Sequence, residues 1–208
     1  MFSINSKIFT SAIALSILIA ITLFSASIVA GRATVFLWLN NDLGNTADLF
    51  FNGCSHLAEG WIWIPYFILI FGWFKKDALL ILLNFLISTL LTQIPKNFIW
   101  DKVSRPMASG IPPNQIHIVK GVEMHLWNSF PSGHTATAFT LFLLTVYLFP
   151  KKSVLLIAAT YAIACGYSRV YLGQHFPLDV AGGITVAIIT ILLSIYIRKN
   201  EKTNLSNS

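Results

Sequence analysis

The strongest constraint on this chain of 208 residues is a set of six apolar stretches that are long enough, or nearly long enough, to cross a lipid bilayer. A bilayer core needs about 20 apolar residues per helix, and its lipid offers the backbone no hydrogen-bond partners. The stretches are Ile8–Ala30, Leu57–Phe74, Ala78–Ile94, Ser132–Phe149, Ser153–Tyr171 and Leu178–Ile197. The sequence therefore predicts an all-α integral membrane bundle of six transmembrane helices.

The composition supports a membrane protein and excludes several other classes. Apolar residues make up 55% of the chain and charged residues only 11%, whereas a soluble domain carries about 25% charged residues. A disordered protein and an ordinary soluble enzyme are thereby excluded. The net charge of +6 arises from 14 basic and eight acidic residues. No run of Lys or Arg exceeds two, so no nucleic-acid partner is expected.

The distribution of Lys and Arg between the stretches predicts the orientation in the membrane. Eight of them fall on one side and six on the other. Three of the six belong to a predicted site, which leaves eight basic residues on one side and three on the other. The side with more Lys and Arg is expected to be cytoplasmic, and it is the side that carries both termini. The first stretch exceeds the roughly 7–15 apolar residues of a signal peptide, and we expect it to be retained. Residues 1–200 are expected to form one membrane-embedded domain, followed by a short polar cytoplasmic tail, residues 201–208.

Unusual polar residues collect at one end of the predicted bundle, at the outer ends of the third to sixth stretches. The inner connections hold little beyond pairs of Lys and Arg. The residues at the outer ends are Lys96, Ser132, His134, Ser168, Arg169, His175 and Asp179. Ionisable groups at membrane depth are costly and usually mark function, so we expect the active site at the outer ends of helices 3–6.

Local patterns at this end indicate a site for an anion. In the run Pro131–His134, Ser132 is suited to cap a helix and Gly133 lets the backbone approach a ligand closely. Pro177 is suited to the first position of the sixth helix. Two helix N-termini then face one compartment, and their free N–H groups attract anions. Three cations accompany them: Lys96, Arg105 and Arg169. Phosphate is the anion that fits this charge best.

The residue types at this end also indicate a reaction. Neutral imidazole is a competent nucleophile for phosphorus, and a carboxylate bonded to its second nitrogen fixes the tautomer and stabilises the cation formed. His175 and Asp179 have the types and the short separation for such a pair. His134, from another helix, is suited to protonate the leaving oxygen and later to deprotonate water. This chemistry needs no metal or cofactor, and the eight acidic residues are scattered instead of clustered as magnesium ligands.

These motifs resemble the three-part signature of the type 2 phosphatidic acid phosphatase superfamily, which includes lipid phosphate phosphatases and vanadium haloperoxidases. The second part, Pro-Ser-Gly-His, is Pro131–His134, and the third, Ser-Arg-x5-His-x3-Asp, runs from Ser168 to Asp179. Both are unaltered. The first part is a Lys followed by Arg-Pro, and here eight residues separate Lys96 from Arg105, where the family usually has six. Lys102 lies too close to Arg105 to replace Lys96.

The resemblance implies an all-helical bundle that forms a phosphohistidine intermediate on His175, with His134 as acid and base and Asp179 orienting His175. It also implies that five further residues bind the phosphate: Lys96, Arg105, Ser132, Gly133 and Arg169. For integral membrane members of the family, it implies that the substrate is a lipid phosphate.

The expected function is hydrolysis of a lipid-linked phosphate monoester or diphosphate at the outer leaflet of a bacterial inner membrane. Undecaprenyl diphosphate, phosphatidylglycerol phosphate, phosphatidic acid and lipid A phosphates are all candidate substrates. The expected partners are this lipid phosphate and the membrane lipids, and the oligomeric state is left open. Two alternatives also stay open: a lipid phosphotransferase that uses the same intermediate, and an anion transporter or channel. The transporter is disfavoured because the inner halves of the stretches hold almost no charged residues.

Overall fold

The computed structural model describes the backbone of residues 6–207 and the side chains of residues 6–75 and 77–201. Every regular element in this range is helical, which confirms the all-α fold class. Short 3₁₀ turns and one π turn, Pro95–Ile99, connect the longer elements. The α-helices of this range are α1 (Lys7–Val29), α2 (Arg32–Leu39), α3 (Asn45–His56), α4 (Trp63–Trp73), α5 (Ala78–Ile94), α6 (Gly133–Leu148), α7 (Lys152–Tyr171) and α8 (Pro177–Asn207).

Several of these helices are long and apolar enough to cross a membrane. Within the described residues, four helical segments are each long and apolar enough to be a span. They are α1, α7, α8 and the segment Ala78–Ile99, which consists of α5 and the π turn after it. The segment Gly60–Trp73 qualifies only together with α3, and this pair is bent by 60°. α6 is shorter, with 16 residues. The protein is thus an integral membrane protein with four candidate spans, or five if the bent pair is one span.

Most of the predicted stretches coincide with helices. α5 has the predicted bounds, α1, α6 and α7 begin and end within one residue of them, and α8 continues beyond Ile197 to Asn207. The predicted helix over Leu57–Phe74 is wrong at its start, because the chain bends after α3 and α4 begins only at Trp63. α2 and α3 are not predicted at all, since both are short and α3 carries polar residues such as Asn52 and His56.

The centre of the bundle is α6, of which eleven of 16 residues are buried. It packs against α7 and α8, and also against α5 and α1. Large apolar side chains on the outer helices are exposed, for example Leu18 and Ile21 of α1 and Ile68 and Leu69 of α4. In a membrane protein this surface contacts lipid chains, so the exposed apolar area carries no penalty there.

α8 packs closely against the start of α6 at two glycines. A Cβ atom on Gly183 would lie 2.6 Å from the carbonyl oxygen of Ser132, and one on Gly182 would collide with the ring of Phe130. The backbone N–H of Ser132 donates to the carbonyl oxygen of Asp179 at 3.0 Å. The N-terminal ends of α6 and α8 therefore lie side by side at one end of the bundle.

Candidate active site

The residues of the three motifs surround one cavity of about 440 Å³ at the end of the bundle where α6 and α8 begin. Six of the eight predicted site residues line this cavity: Lys96, Arg105, Gly133, His134, Arg169 and His175. The other two, Ser132 and Asp179, are buried beside them. The fold therefore brings together residues from the π turn after α5, the loop after it, the start of α6, the end of α7 and the start of α8.

His175, in the turn between α7 and α8, forms a buried pair with Asp179 in the first turn of α8. The Nδ1 atom of His175 lies 3.4 Å from Oδ2 of Asp179, and each residue is only 1% exposed. The turn folds back onto α7, because the backbone N–H groups of Gln174 and His175 donate to the carbonyl oxygen of Arg169 at 2.9 and 3.0 Å. The carboxylate faces Nδ1 and leaves Nε2 as the ring nitrogen that can meet a substrate.

The electrostatic surroundings of His175 favour its neutral form. Burial lowers the pKa of His175 well below its usual value, and the nearby positive charges of Arg105, Lys96 and Arg169 lower it further. A histidine whose pKa is depressed in this way stays unprotonated at physiological pH. Its Nε2 lone pair is then available for nucleophilic attack, which a protonated ring could not perform.

The first turn of α6 contributes Gly133 and His134 to the cavity wall. Ser132 caps this helix, since its Oγ accepts a hydrogen bond from the backbone N–H of Thr135 at 3.4 Å. A Cβ atom on Gly133 would meet nothing within 4 Å, so this side of the helix borders open space. The positive end of the helix dipole thus faces the cavity, next to the imidazole of His134.

Arg169 is the most deeply buried cation of the cavity, at 6% exposure. Its Nη1 atom donates to the hydroxyl of Ser55. Its Nε atom is buried and has no hydrogen-bond partner within the described part of the chain. A buried cation is costly unless an opposite charge balances it, and Arg169 lines the cavity, so the site is suited to an anionic ligand.

Arg105 and Lys96 complete the positive wall of the cavity. The Nε atom of Arg105 donates to the carbonyl oxygen of Trp127 at 2.9 Å, and its Nη1 atom donates to the carbonyl oxygen of Gln174 at 3.1 Å. These bonds hold the guanidinium beside His175. Lys96 is half-buried in the π turn, whereas Lys102 is exposed and does not line the cavity.

Some residues of the site have no motif that would identify them. Ser55 of α3 contacts Arg169, Gln174 contacts Arg105, and Ser129 donates to Asp179. His125 also lines the cavity, but its sequence context does not separate it from the general polarity of its loop. Ser168 instead donates to the carbonyl oxygen of Cys165 within α7, at 2.7 Å, and does not line the cavity.

A second histidine–carboxylate pair lies outside the cavity wall. The Nε2 atom of His117 lies 3.1 Å from Oδ1 of Asp48, and Asp48 also accepts from the hydroxyl of Tyr171 at 2.6 Å. Together with Asp42, this pair forms a group of side chains that could hold a metal ion. None of the three lines the cavity, so the pair serves as a matched comparison for His175 and Asp179.

Comparison with known proteins gives several lipid phosphatases as relatives. The chain is 28% identical to phosphatidylglycerophosphatase B of Bacillus subtilis, over 81% of this chain and 81% of that one. It is 29% identical to an undecaprenyl-diphosphatase of Sulfolobus acidocaldarius, over 69% of this chain and 66% of that one. The crystal structure of a transmembrane PAP2 type phosphatidylglycerolphosphate phosphatase from Bacillus subtilis superposes with a TM-score of 0.65 at 26% identity. That match covers 92% of this chain and 96% of the other.

The family model for the PAP2 superfamily matches residues 77–203, which is more than half of the chain and includes all three motifs. This match agrees with the resemblance of the motifs, with the relatives named as phosphatases and with the transmembrane fold. The chain belongs to the PAP2 superfamily.

Proposed function

We propose that this membrane phosphatase hydrolyses a lipid-linked phosphate monoester or diphosphate at the outer leaflet, through a phosphohistidine intermediate on His175. The observation that carries the proposal is the grouping of three cationic side chains around one cavity that also holds a neutral His175 oriented by a carboxylate. A phosphate group would balance the charge of these cations and supply the phosphorus atom that His175 attacks.

In the first step, Nε2 of His175 forms a bond to phosphorus while the bond between phosphorus and the leaving oxygen breaks. His134 donates a proton to that oxygen, and the lipid alcohol, or lipid monophosphate in the case of a diphosphate, departs. Asp179 stabilises the positive charge that develops on the imidazole. The cations and the amide groups at the start of α6 stabilise the negative charge on the phosphoryl oxygens.

In the second step, water replaces the lipid. His134 takes a proton from the water molecule as its oxygen forms a bond to phosphorus. The bond between phosphorus and Nε2 then breaks, which releases inorganic phosphate and restores neutral His175. Each residue returns to its starting protonation state at the end of this cycle.

The shape of the cavity supports a lipid as the substrate. Its wall continues from Lys96 along α5 through Thr92 and Ser88 to Phe85. At about 1.5 Å per residue, the eleven steps from Lys96 to Phe85 correspond to roughly 16 Å along the helix, which leads away from the phosphate site toward the apolar part of the bundle. Trp63 of α4 lines the same part of the cavity. A phosphate can then bind at the membrane surface while its lipid chain follows this wall.

The substrate is one of the lipids that the site chemistry allows: undecaprenyl diphosphate, phosphatidylglycerol phosphate, phosphatidic acid or a lipid A phosphate. An isoprenyl diphosphate is our first choice, because one of the relatives is named an undecaprenyl-diphosphatase. The loop between α5 and α6 is the part of the chain best situated to select the lipid, since Arg105 and His125 of this loop line the cavity.

A phosphate-release assay tests the proposed function. The purified protein in detergent is expected to release inorganic phosphate from one or more of these four lipids, in the presence of EDTA and with inhibition by vanadate. Ranking the lipids by kcat/KM identifies the preferred one. Transfer of labelled phosphate to an added alcohol or lipid instead of water would favour the phosphotransferase, and no turnover of any of these lipids would contradict the proposal.

We further propose that the chain spans a bacterial inner membrane six times, with both termini in the cytoplasm and the cavity facing outward. The six spans are the four long helices together with α6 and the segment Gly60–Trp73. A fluorescent reporter fused after Asn200 is expected to be cytoplasmic, because the pairs of Lys and Arg lie on that side. An alkaline phosphatase fusion in the outer loop, after Lys120, is expected to be active. The opposite result in both fusions would show that the protein has the reverse orientation, with the cavity facing the cytoplasm.

Lys96 rather than Lys102 is expected to bind the phosphate. Replacing Lys96 with alanine removes a cation from the cavity wall and is expected to lower kcat/KM by about a hundredfold, as is typical when one such group is lost. Lys102→Ala is the matched control and is expected to retain full activity, because its side chain is exposed and outside the cavity. A larger loss for Lys102→Ala than for Lys96→Ala would mean that the assignment is reversed.

A further inference from the structure

We infer that Ser129 is a positioning residue that holds the carboxylate of Asp179 against His175. The inference rests on the proposed function, in which His175 is the nucleophile. Ser129 lies in the loop before α6 and is fully buried, at 0% exposure. Its hydroxyl lies 2.5 Å from Oδ2 of Asp179 and 3.5 Å from Nδ1 of His175, so it acts on the nucleophile mainly through Asp179 and is not itself expected to touch the substrate.

The hydroxyl of Ser129 makes the shortest contact to the carboxylate of Asp179. It donates to Oδ2 at 2.5 Å, a distance typical of a hydroxyl bound to a charged carboxylate. The backbone N–H of Phe176 donates to the same oxygen at 2.9 Å, and Nδ1 of His175 lies 3.4 Å from it. The position of this oxygen is therefore set mainly by Ser129 and Phe176, and the imidazole of His175 orients toward an acceptor that is already in place.

Ser129 is itself fixed by the loop that carries Arg105. Its backbone N–H donates to the carbonyl oxygen of Val103 at 3.1 Å, and the backbone N–H of Arg105 donates to the carbonyl oxygen of Leu126 at 2.8 Å. The two segments of the loop thus run together. The position of a phosphate-binding cation and the position of the nucleophile's partner are consequently set by one hydrogen-bonded unit.

Loss of the hydroxyl would leave Oδ2 with the backbone N–H of Phe176 as its remaining strong donor. The carboxylate could then rotate, and it would stabilise the cationic imidazole less well as the bond to phosphorus forms. This defect affects the chemical step more than binding, since the phosphate is bound by other groups. A hydrogen bond to a charged carboxylate is among the stronger ones in a protein, and its loss is expected to lower activity about 10- to 100-fold.

The test compares kcat and KM of Ser129→Ala, Ser129→Thr and Ser129→Cys in detergent with the best lipid substrate. Ser129→Ala is expected to lower kcat by about 10- to 100-fold with little change in KM. Ser129→Thr keeps the hydroxyl but adds a methyl group to a buried position, and it is expected to recover most of kcat. A role limited to packing predicts the reverse order, with threonine worse than alanine. Ser129→Cys keeps a side chain of similar size but replaces the hydroxyl with a weak donor, so its kcat is expected to resemble that of Ser129→Ala. If the alanine variant does not fold, the cysteine variant takes its place in the comparison.

Two reference proteins separate failure of this inference from failure of the proposed function. Ser16→Ala removes a buried serine that donates within α1, to the carbonyl oxygen of Ala12 at 2.9 Å, and it is expected to leave kcat unchanged. His175→Ala is expected to lose at least a thousandfold in kcat/KM. Wild-type kcat in Ser129→Ala, or equal loss in the alanine and threonine variants, would overturn the role of Ser129 alone. Retained activity in His175→Ala would instead overturn the proposed function on which the inference rests.

Discussion

Replacing His175 with alanine is expected to lower kcat/KM by at least a thousandfold, the largest effect of any single substitution in the cavity. The variant lacks the nitrogen that forms the bond to phosphorus. Among the described residues that line the cavity, no other histidine is paired with a carboxylate and could replace His175 as the nucleophile. Each tenfold loss corresponds to about 1.4 kcal/mol of transition-state stabilisation, so the expected loss is about 4 kcal/mol or more. Residual turnover would come from direct attack by water on a phosphate still bound by Lys96, Arg105 and Arg169.

The matched control for this substitution is His117→Ala. His117 also pairs with a carboxylate, that of Asp48, but it lies outside the cavity. It is therefore expected to retain wild-type kcat/KM. Phosphate release from the preferred lipid measures both variants, with thermal unfolding in detergent as the check on folding. Full activity of His175→Ala would end the nucleophilic mechanism, and inactivity of both variants would point to a loss of fold.

Replacing Asp179 with asparagine is expected to have the second largest effect, a loss of kcat on the order of a thousandfold. The substitution keeps the size of the side chain but removes the negative charge that stabilises the imidazole when it becomes cationic. A carboxylate only accepts hydrogen bonds and therefore favours the His175 tautomer with the proton on Nδ1. The amide of asparagine can also donate, so this tautomer is no longer favoured. Comparable changes in catalytic histidine–carboxylate pairs cost on the order of 10⁴ in kcat.

Asp48→Asn is the corresponding control for Asp179→Asn, because Asp48 pairs with His117 in the same type of contact. It is expected to leave kcat unchanged. Binding of vanadate to Asp179→Asn should persist, since the cations and the start of α6 are intact. A kcat within threefold of wild type for Asp179→Asn would show that the carboxylate does not support the nucleophile.

The long apolar helices could be predicted from the sequence because their spacing and length are set by the bilayer. α5, α6 and α7 follow the predicted bounds for this reason. α2, α3 and the bend before α4 could not be predicted, since these segments are short and their polar residues interrupt the apolar pattern. The helical form of α2 and α3 depends on packing against α1, α7 and α8. A local sequence pattern carries no information about such packing.

The same distinction applies to the cavity. His134, His175 and Arg169 belong to contiguous motifs with fixed spacing, and helix direction alone predicts that they share one end of the bundle. Ser55 could not be predicted, because it is 114 residues away from Arg169 in the chain and lies on a helix that was itself not predicted. Ser129 is close to the second motif, but its partner Asp179 is 50 residues further on. Contacts of this kind depend on the tertiary fold rather than on spacing.

Chemical trapping of the intermediate on His175 is the most direct test of the proposed mechanism. Wild-type protein is mixed with the preferred lipid carrying labelled phosphate, quenched within a turnover under alkaline conditions that preserve phosphohistidine, and digested for mass spectrometry. One phosphoryl group is expected on His175, and it is expected to be absent from His175→Ala and from protein preincubated with vanadate. A phosphoryl group on any other residue, or turnover without a trapped intermediate under conditions that preserve phosphohistidine, would contradict nucleophilic attack by His175.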